Sequence, residues 1–192
     1  QNLCILPDIA LQNKSLPVEK KVYKLCIVPA ELTDEQLILL ANAVKILPKM
    51  KICMTVSRLF SPDIYAVKML KKIICESSEH DVDLIIPETY SELKNVLGSS
   101  ENVISRGMHA IIISWHFGAK VFALTKSRKI DALLNMIGRP DFSCAEESWE
   151  RDLKKKIEHW MTSQVVQGTK TDNEIKAIEF NNIINAKFES II

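Results

Sequence analysis

Two kinds of apolar run alternate along residues 23–138 of the chain. The first kind is short, continuous and bounded by turn residues, which predicts buried strands. These are YKLCIVP (23–29), KICMTVS (51–57), VDLIIPE (82–88), NVIS (102–105) and KVFALT (120–125). Between them, apolar residues recur three and four apart, the mark of helices with one face turned inward. LTDEQLILLANAVKILPK opens on Thr33 with Gln36 three residues on, a capping box, and Pro48 stops it. Ser61-Pro62 reads as the cap and first-turn proline of a second helix, continuing through IYAVKMLKKIICESS. Shorter helices follow over YSELKNVLG, over MHAIIISWHF ended by Gly118, and over RKIDALLNMIG with Gly138 at its end. Such alternation predicts βαβ units and a parallel sheet covered by helices on both faces.

From about Ser143 the pattern becomes wholly helical. Ser143-Cys144-Ala145-Glu146 has the form of a capping box, and Trp149, Leu153, Ile157 and Trp160 make one apolar stripe, expected to pack on the sheet domain. SQVVQGTKTDN predicts a break, with a last helix over 172–189. The expected organisation is a sheet domain over 1–142 and packed C-terminal helices over 143–192. Three adjacent lysines in DLKKKIEH read as a solvated face.

Composition narrows the function classes. A chain of 192 residues, 47% hydrophobic, can bury a sizeable core, and its length favours one domain. A net charge of +1 offers no global attraction to nucleic acid or an anionic membrane. No apolar run is long enough to span a bilayer, and no signal-peptide pattern opens the chain. Its start at Gln1 rather than Met reads as processing or truncation. The five cysteines are scattered without a C-x-x-C pair, which predicts reduced thiols and a cytoplasmic setting. The sequon Asn13-Lys14-Ser15 is then a chance match. The four histidines lack zinc-site spacing, so no metal is expected.

Candidate chemistry concentrates where the fourth predicted strand gives way to its helix, in SRGMHA. Ligands of open parallel sheets bind beyond the carboxyl ends of the strands. The first N–H groups of a helix there lack intrahelical partners, and its dipole favours an anion. Arg106 adds a planar fork suited to carboxylate or phosphate. Gly107 permits close backbone approach, and His109 is titratable. The next strand delivers Lys126, Arg128 and Lys129 to the same edge. Spacing alone leaves a second reading open: a histidine satisfied in the core or at an edge, beside solvated basic turns. For His116, seven residues on, packing is the expected role. The five glycines (98, 107, 118, 138, 168) exclude G-x-G-x-x-G and G-x-x-x-x-G-K.

The segment SRGMHAIIISWHFGAKVFALTKSRKIDALLNMIG resembles the C-terminal signature of the polysaccharide pyruvyl transferase family. There an Arg followed by His opens a helix, a Gly follows nine residues after the His, and a Lys begins another helix after a strand. Here His109, Gly118, Lys129 and Gly138 fall in register. LPDIAL (6–11) resembles the stretch preceding the family's second half, and IVPAELTDEQ its first strand and turn there. The likeness covers roughly 6–140. The commoner form has Arg two residues before His, where this chain has Gly107, and Arg106 stands three before.

The resemblance implies a Rossmann-like domain, the C-terminal half of a glycosyltransferase-B-like enzyme. It implies phosphoenolpyruvate as donor, no cofactor, and a saccharide acceptor held largely by an N-terminal half, without which this chain alone is inactive. In the family's reaction two sugar hydroxyls add at C2 of the donor, C3 is protonated, and phosphate leaves. The resemblance makes His109 the acid or phosphate contact, Arg106 the carboxylate or phosphate clamp and Lys129 electrostatic support, with Ser105 as a hydrogen-bond donor. Arg58, at the end of the second strand, joins them from topology alone. Two other readings stay open: the C-terminal half of a sugar-nucleotide enzyme, with Asp131 as the acid near the ribose, or a scaffold domain exposing its Trp149/Trp160 stripe.

Overall fold

A computed structural model of the chain describes residues 21–163. Five strands, β1 (Leu25–Val28), β2 (Lys51–Thr55), β3 (Asp81–Ile85), β4 (Asn102–Ser105) and β5 (Lys120–Ala123), form one all-parallel sheet. Their order is β3-β2-β1-β4-β5. The helices are α1 (Asp34–Lys45), α2 (Ser61–Cys75), α3 (Tyr90–Gly98), α4 (Met108–His116), α5 (Arg128–Met136) and α6 (Lys154–Thr162).

The strands read as continuous apolar runs because both of their faces are buried. Leu25, Ile27, Ile52, Met54, Ile104 and Phe122 belong to the core shared with α1, α2 and α6. Their alternating neighbours Cys26, Val28, Cys53, Val103, Val121 and Ala123 belong to the core shared with α3, α4 and α5. This is the Rossmann-like, doubly covered sheet that the pattern and the resemblance predict.

Local signals set most of the boundaries. Thr33 accepts from the Gln36 N–H at 3.3 Å and the Gln36 side chain accepts from the Thr33 N–H at 3.0 Å, the full capping box of α1. Gly118 and Gly138 end α4 and α5 in the left-handed region, at φ 72° and 71°, which a side chain would oppose.

Two expected caps are corrected. Phe60, not Ser61, precedes α2, without a side-chain cap bond, and Ser61 and Pro62 are already helical. Ser143 and Glu146 form no capping box. The 142–144 stretch instead lies beside β5, with the Ala123 N–H donating to Phe142 and the Cys144 N–H to Ala123. Glu146 starts a 3-10 turn and a π-helical turn follows before α6, while the Glu146 carboxylate turns to other partners.

The apolar stripe is buried: Trp149, Leu153, Ile157 and Trp160 are at most 2% exposed and join the core around α1 and α2. Trp160 packs on Phe122 with ring centroids 5.5 Å apart. The exposed tryptophan face that would mark a scaffold is therefore absent from these residues. The 6–11 stretch, the sequon, the 164–173 portion of the expected break and the expected helix over 172–189 lie outside the described residues. Among the described residues, no helix is long and apolar enough to cross a membrane.

The Trp160 contact can be measured. Trp160→Ala should cost about 3–5 kcal/mol of stability in equilibrium denaturant unfolding, since it empties a fully buried site between α6 and the sheet.

Candidate functional site

Strand order reverses between β1 and β4, so the connections leaving them diverge and open a crevice at the carboxyl edge. A cleft of about 470 Å³ occupies that edge. Ala30 and Glu31 (after β1), Ser57 and Arg58 (after β2), Tyr90 and Leu93 (α3), and Arg106, Gly107, His109 and Ile113 form its walls. A side chamber of about 190 Å³ shares Ser57, Arg58, Tyr90 and Leu93 with it.

The turn after β4 opens one wall. The Gly107 N–H donates to the Ser105 hydroxyl at 2.9 Å, and that hydroxyl donates to the Gly107 carbonyl at 3.1 Å. Ser105 is fully buried and builds the turn; it is not among the cleft's lining residues. Gly107 caps α4 without any side-chain bond, so the open helix N-terminus meets the cleft. His109, on the first turn of α4, is exposed in the cleft wall. Its proton affinity is held below the ordinary histidine range, first by lost hydration around the ring, then by the charges of Lys129 and Arg58. Since the residue as a whole is exposed, the lost hydration is that of a group in an open cleft, not of a core histidine.

Arg106 lines the cleft, but its fork is engaged. Nε donates to Glu146 Oε1 at 3.0 Å, Nη2 approaches the same oxygen at 2.9 Å, and Nη1 donates to the Glu31 carbonyl. The other Glu146 oxygen accepts from Gln36 at 3.3 Å. The expected anion clamp is thus tied within the protein, and the arginine braces three loops. Ala30 helps: at φ 55° it stands in the left-handed region, a strained turn that sets the Glu31 carbonyl toward Arg106.

Arg58 is placed differently. Its Nε donates to Asp63 at 3.1 Å, its Nη2 reaches the second Asp63 oxygen at 3.3 Å, and a longer contact to Glu31 spans 3.4 Å. Lys129 sits exposed on the first turn of α5, close enough to act on His109, yet outside the cleft walls. Lys126 and Arg128 are exposed beside it. His116 is buried edge-on to Phe117, in keeping with packing.

The structure therefore gathers Arg58, Arg106 and His109 around one cleft, with Lys129 at its margin. Sequence reading missed Glu31, Asp63, Glu146 and Tyr90. Asp63 had one usable signal, an acid in the first helical turn after Pro62. Glu146 was hidden by its fit to a capping box. Tyr90 carries a buried hydroxyl without a hydrogen-bond partner among the described residues, and burial pushes its phenol above the usual range.

Fold and edge cleft together define a Rossmann-like α/β unit with a crevice at its carboxyl edge. Sixteen chains of known structure match it. One is an O-GlcNAc transferase mutant of Thermobaculum terrenum, with TM-score 0.58 and 13% identity, covering 91% of this chain and 35% of that one. Another is the UDP-GlcNAc 2-epimerase of Neisseria meningitidis, solved with UDP-GlcNAc, with TM-score 0.48 and 13% identity, covering 96% of this chain and 50% of that one. The chain thus spans a third to a half of these proteins, and at such identity the likeness is one of fold. No protein-family model and no curated protein matches the chain.

Two measurements test the site's electrostatics. Lys129→Ala should raise the His109 titration midpoint, followed by NMR of the ring protons, by removing one nearby positive charge. The same depressed midpoint makes the unfolded chain bind the extra proton more readily. His109 should therefore lower stability as pH falls through the ordinary histidine range, and His109→Ala should flatten that slope.

A double-mutant cycle on Arg106→Ala and Glu146→Ala should give a coupling of about 1 kcal/mol or more, above an exposed pair, because the geometry is two-pronged and half-buried.

Proposed function

We propose that this chain is the phosphoenolpyruvate-binding half of a polysaccharide pyruvyl transferase, an enzyme that forms a pyruvate ketal on a saccharide. One observation carries the reading: His109 stands on the open N-terminal turn of α4, in a cleft wall, within reach of the charges of Arg58 and Lys129. The sequence register of His109, Gly118, Lys129 and Gly138 supports it, and so does the left-handed backbone at both glycines.

The chemistry follows from the charges. Lost hydration and the neighbouring Lys129 and Arg58 charges lower the proton affinity of the His109 imidazole and so favour its neutral form. A donor bearing phosphate and carboxylate brings opposite charge beside it and raises that affinity. The ring then takes up a proton as the donor binds, and becomes an acid able to protonate C3 or a phosphate oxygen. The N–H groups of α4 and the Arg58 guanidinium supply hydrogen bonds to the anion, with Lys129 as background charge. Arg106, tied to Glu146, holds the turn that carries them. The acceptor sugar and the exclusion of water fall to the other half of such an enzyme. The reaction needs no cofactor, and the cytoplasm, where phosphoenolpyruvate is made, is its setting.

Calorimetric titration with phosphoenolpyruvate, repeated in buffers of different ionisation enthalpy, tests this. Binding should be accompanied by uptake of a fraction of a proton near pH 7, and His109→Ala should abolish that uptake. Within a complete two-half enzyme the same substitution should lower turnover about a hundredfold or more, the range for loss of a general acid. Binding of a nucleotide sugar in place of phosphoenolpyruvate would overturn the reading in favour of a sugar-nucleotide enzyme.

A further inference from the structure

The two arginines of the cleft are held in opposite ways. Arg106 is about 29% exposed, and its Nε, Nη1 and Nη2 are all engaged, its acid Glu146 being braced in turn by Gln36. Arg58 is about 58% exposed, lines both the cleft and its side chamber, and gives Nε and Nη2 to Asp63. Asp63 is about 1% exposed, in the first turn of α2, where the helix dipole favours a carboxylate. A carboxylate so deeply buried cannot exchange its cation for water, so the guanidinium edge it grips is fixed. The ring of Phe60 lies 5.5 Å from the guanidinium carbon and limits its swing. The contact with Glu31 is different, a single 3.4 Å approach to a half-exposed side chain that an incoming anion can displace.

We infer that Asp63 is a positioning residue of the cleft: it holds the Arg58 guanidinium by one edge, leaves Nη1 open, and makes Arg58 rather than Arg106 the arginine that meets an anionic ligand. The anion's entry replaces Glu31 and leaves Asp63 in place. The ligand class is a phosphate ester or a carboxylate, bound between Arg58 and the N-terminus of α4. That last step rests on the donor-binding reading above; the positioning of Arg58 by Asp63 does not.

His109 reports the difference, since the Arg58 and Lys129 charges both bear on it. Removing the Asp63 charge by itself would lower the His109 midpoint further, whereas releasing Arg58 from the cleft would raise it. The experiment is NMR titration of His109 in the full 192-residue chain, for the unsubstituted protein, Asp63→Asn and Arg58→Gln, with calorimetric titration of inorganic phosphate and phosphoenolpyruvate. Positioning predicts that Asp63→Asn raises the midpoint in the same direction as Arg58→Gln, and weakens both anions about tenfold or more, the loss of one charge-assisted contact. A midpoint unchanged or lowered in Asp63→Asn would overturn the inference, because the guanidinium would then stay without its carboxylate. Should neither anion bind the unsubstituted protein while the midpoints of Asp63→Asn and Arg58→Gln rise together, the positioning stands and the donor-binding reading falls. If Asp63→Asn does not fold, Arg58→Lys with Asp63 intact decides. An ammonium paired with Asp63 has no second edge to offer, so anion affinity should drop as in Arg58→Gln, and full retention would overturn the assignment.

Discussion

The carboxyl edge of the sheet depends on one guanidinium. Arg106 follows β4, donates to Glu146 from the segment beyond β5, and donates to the Glu31 carbonyl in the strained turn after β1. Glu146 in turn reaches Gln36, which closes the cap of α1. Three segments distant in sequence are thereby fixed by one planar group with diverging donors, a task suited to arginine and not to lysine. The cleft keeps its shape because these loops are tied at that point, while the buried strands below supply the rigid floor.

This arrangement explains which parts of the molecule were legible in the sequence. Strands buried on both faces must be continuously apolar, and caps must supply particular side chains, so β1 to β5, the Thr33 box and the glycines 118 and 138 all announced themselves. Long-range polar partners carry no such periodicity. Glu146 stands forty residues from Arg106 and three from Ser143, and only the local spacing is visible in a string of letters. The strand-like pairing of 142–144 beside β5 removed Ser143 from any capping role. The location of the cleft followed from topology, through the rule of strand ends. Which cations are engaged within it did not, because that depends on carboxylates brought in from other loops.

Charge balance at the edge follows the same logic. Glu31, Asp63 and Glu146 offset Arg58 and Arg106, so the cleft is not an unrelieved positive patch. Its walls hold a fixed dipole and partly replaceable contacts instead. The dipole is that of the α4 N-terminus, whose N–H groups are held in place by the helix itself. The exposed Glu31 contact can give way where the buried Asp63 contact cannot.

Gly107 joins these strands of argument. Its φ of −84° is open to any residue, and a Cβ there would meet Ser57 Oγ at 3.5 Å and Ser105 Oγ at 3.7 Å, ordinary contacts. The backbone therefore accommodates a side chain at this place, and glycine is not a demand of the fold. At position 106 the guanidinium lies within reach of Glu146 and acts as a brace. The α4 N-terminus has no side-chain cap toward the cleft, and Arg58 is the more exposed of the two arginines in its walls. Arg58 in turn is gripped by the buried Asp63 carboxylate through Nε and Nη2, a hold that its longer contact with the exposed Glu31 does not match.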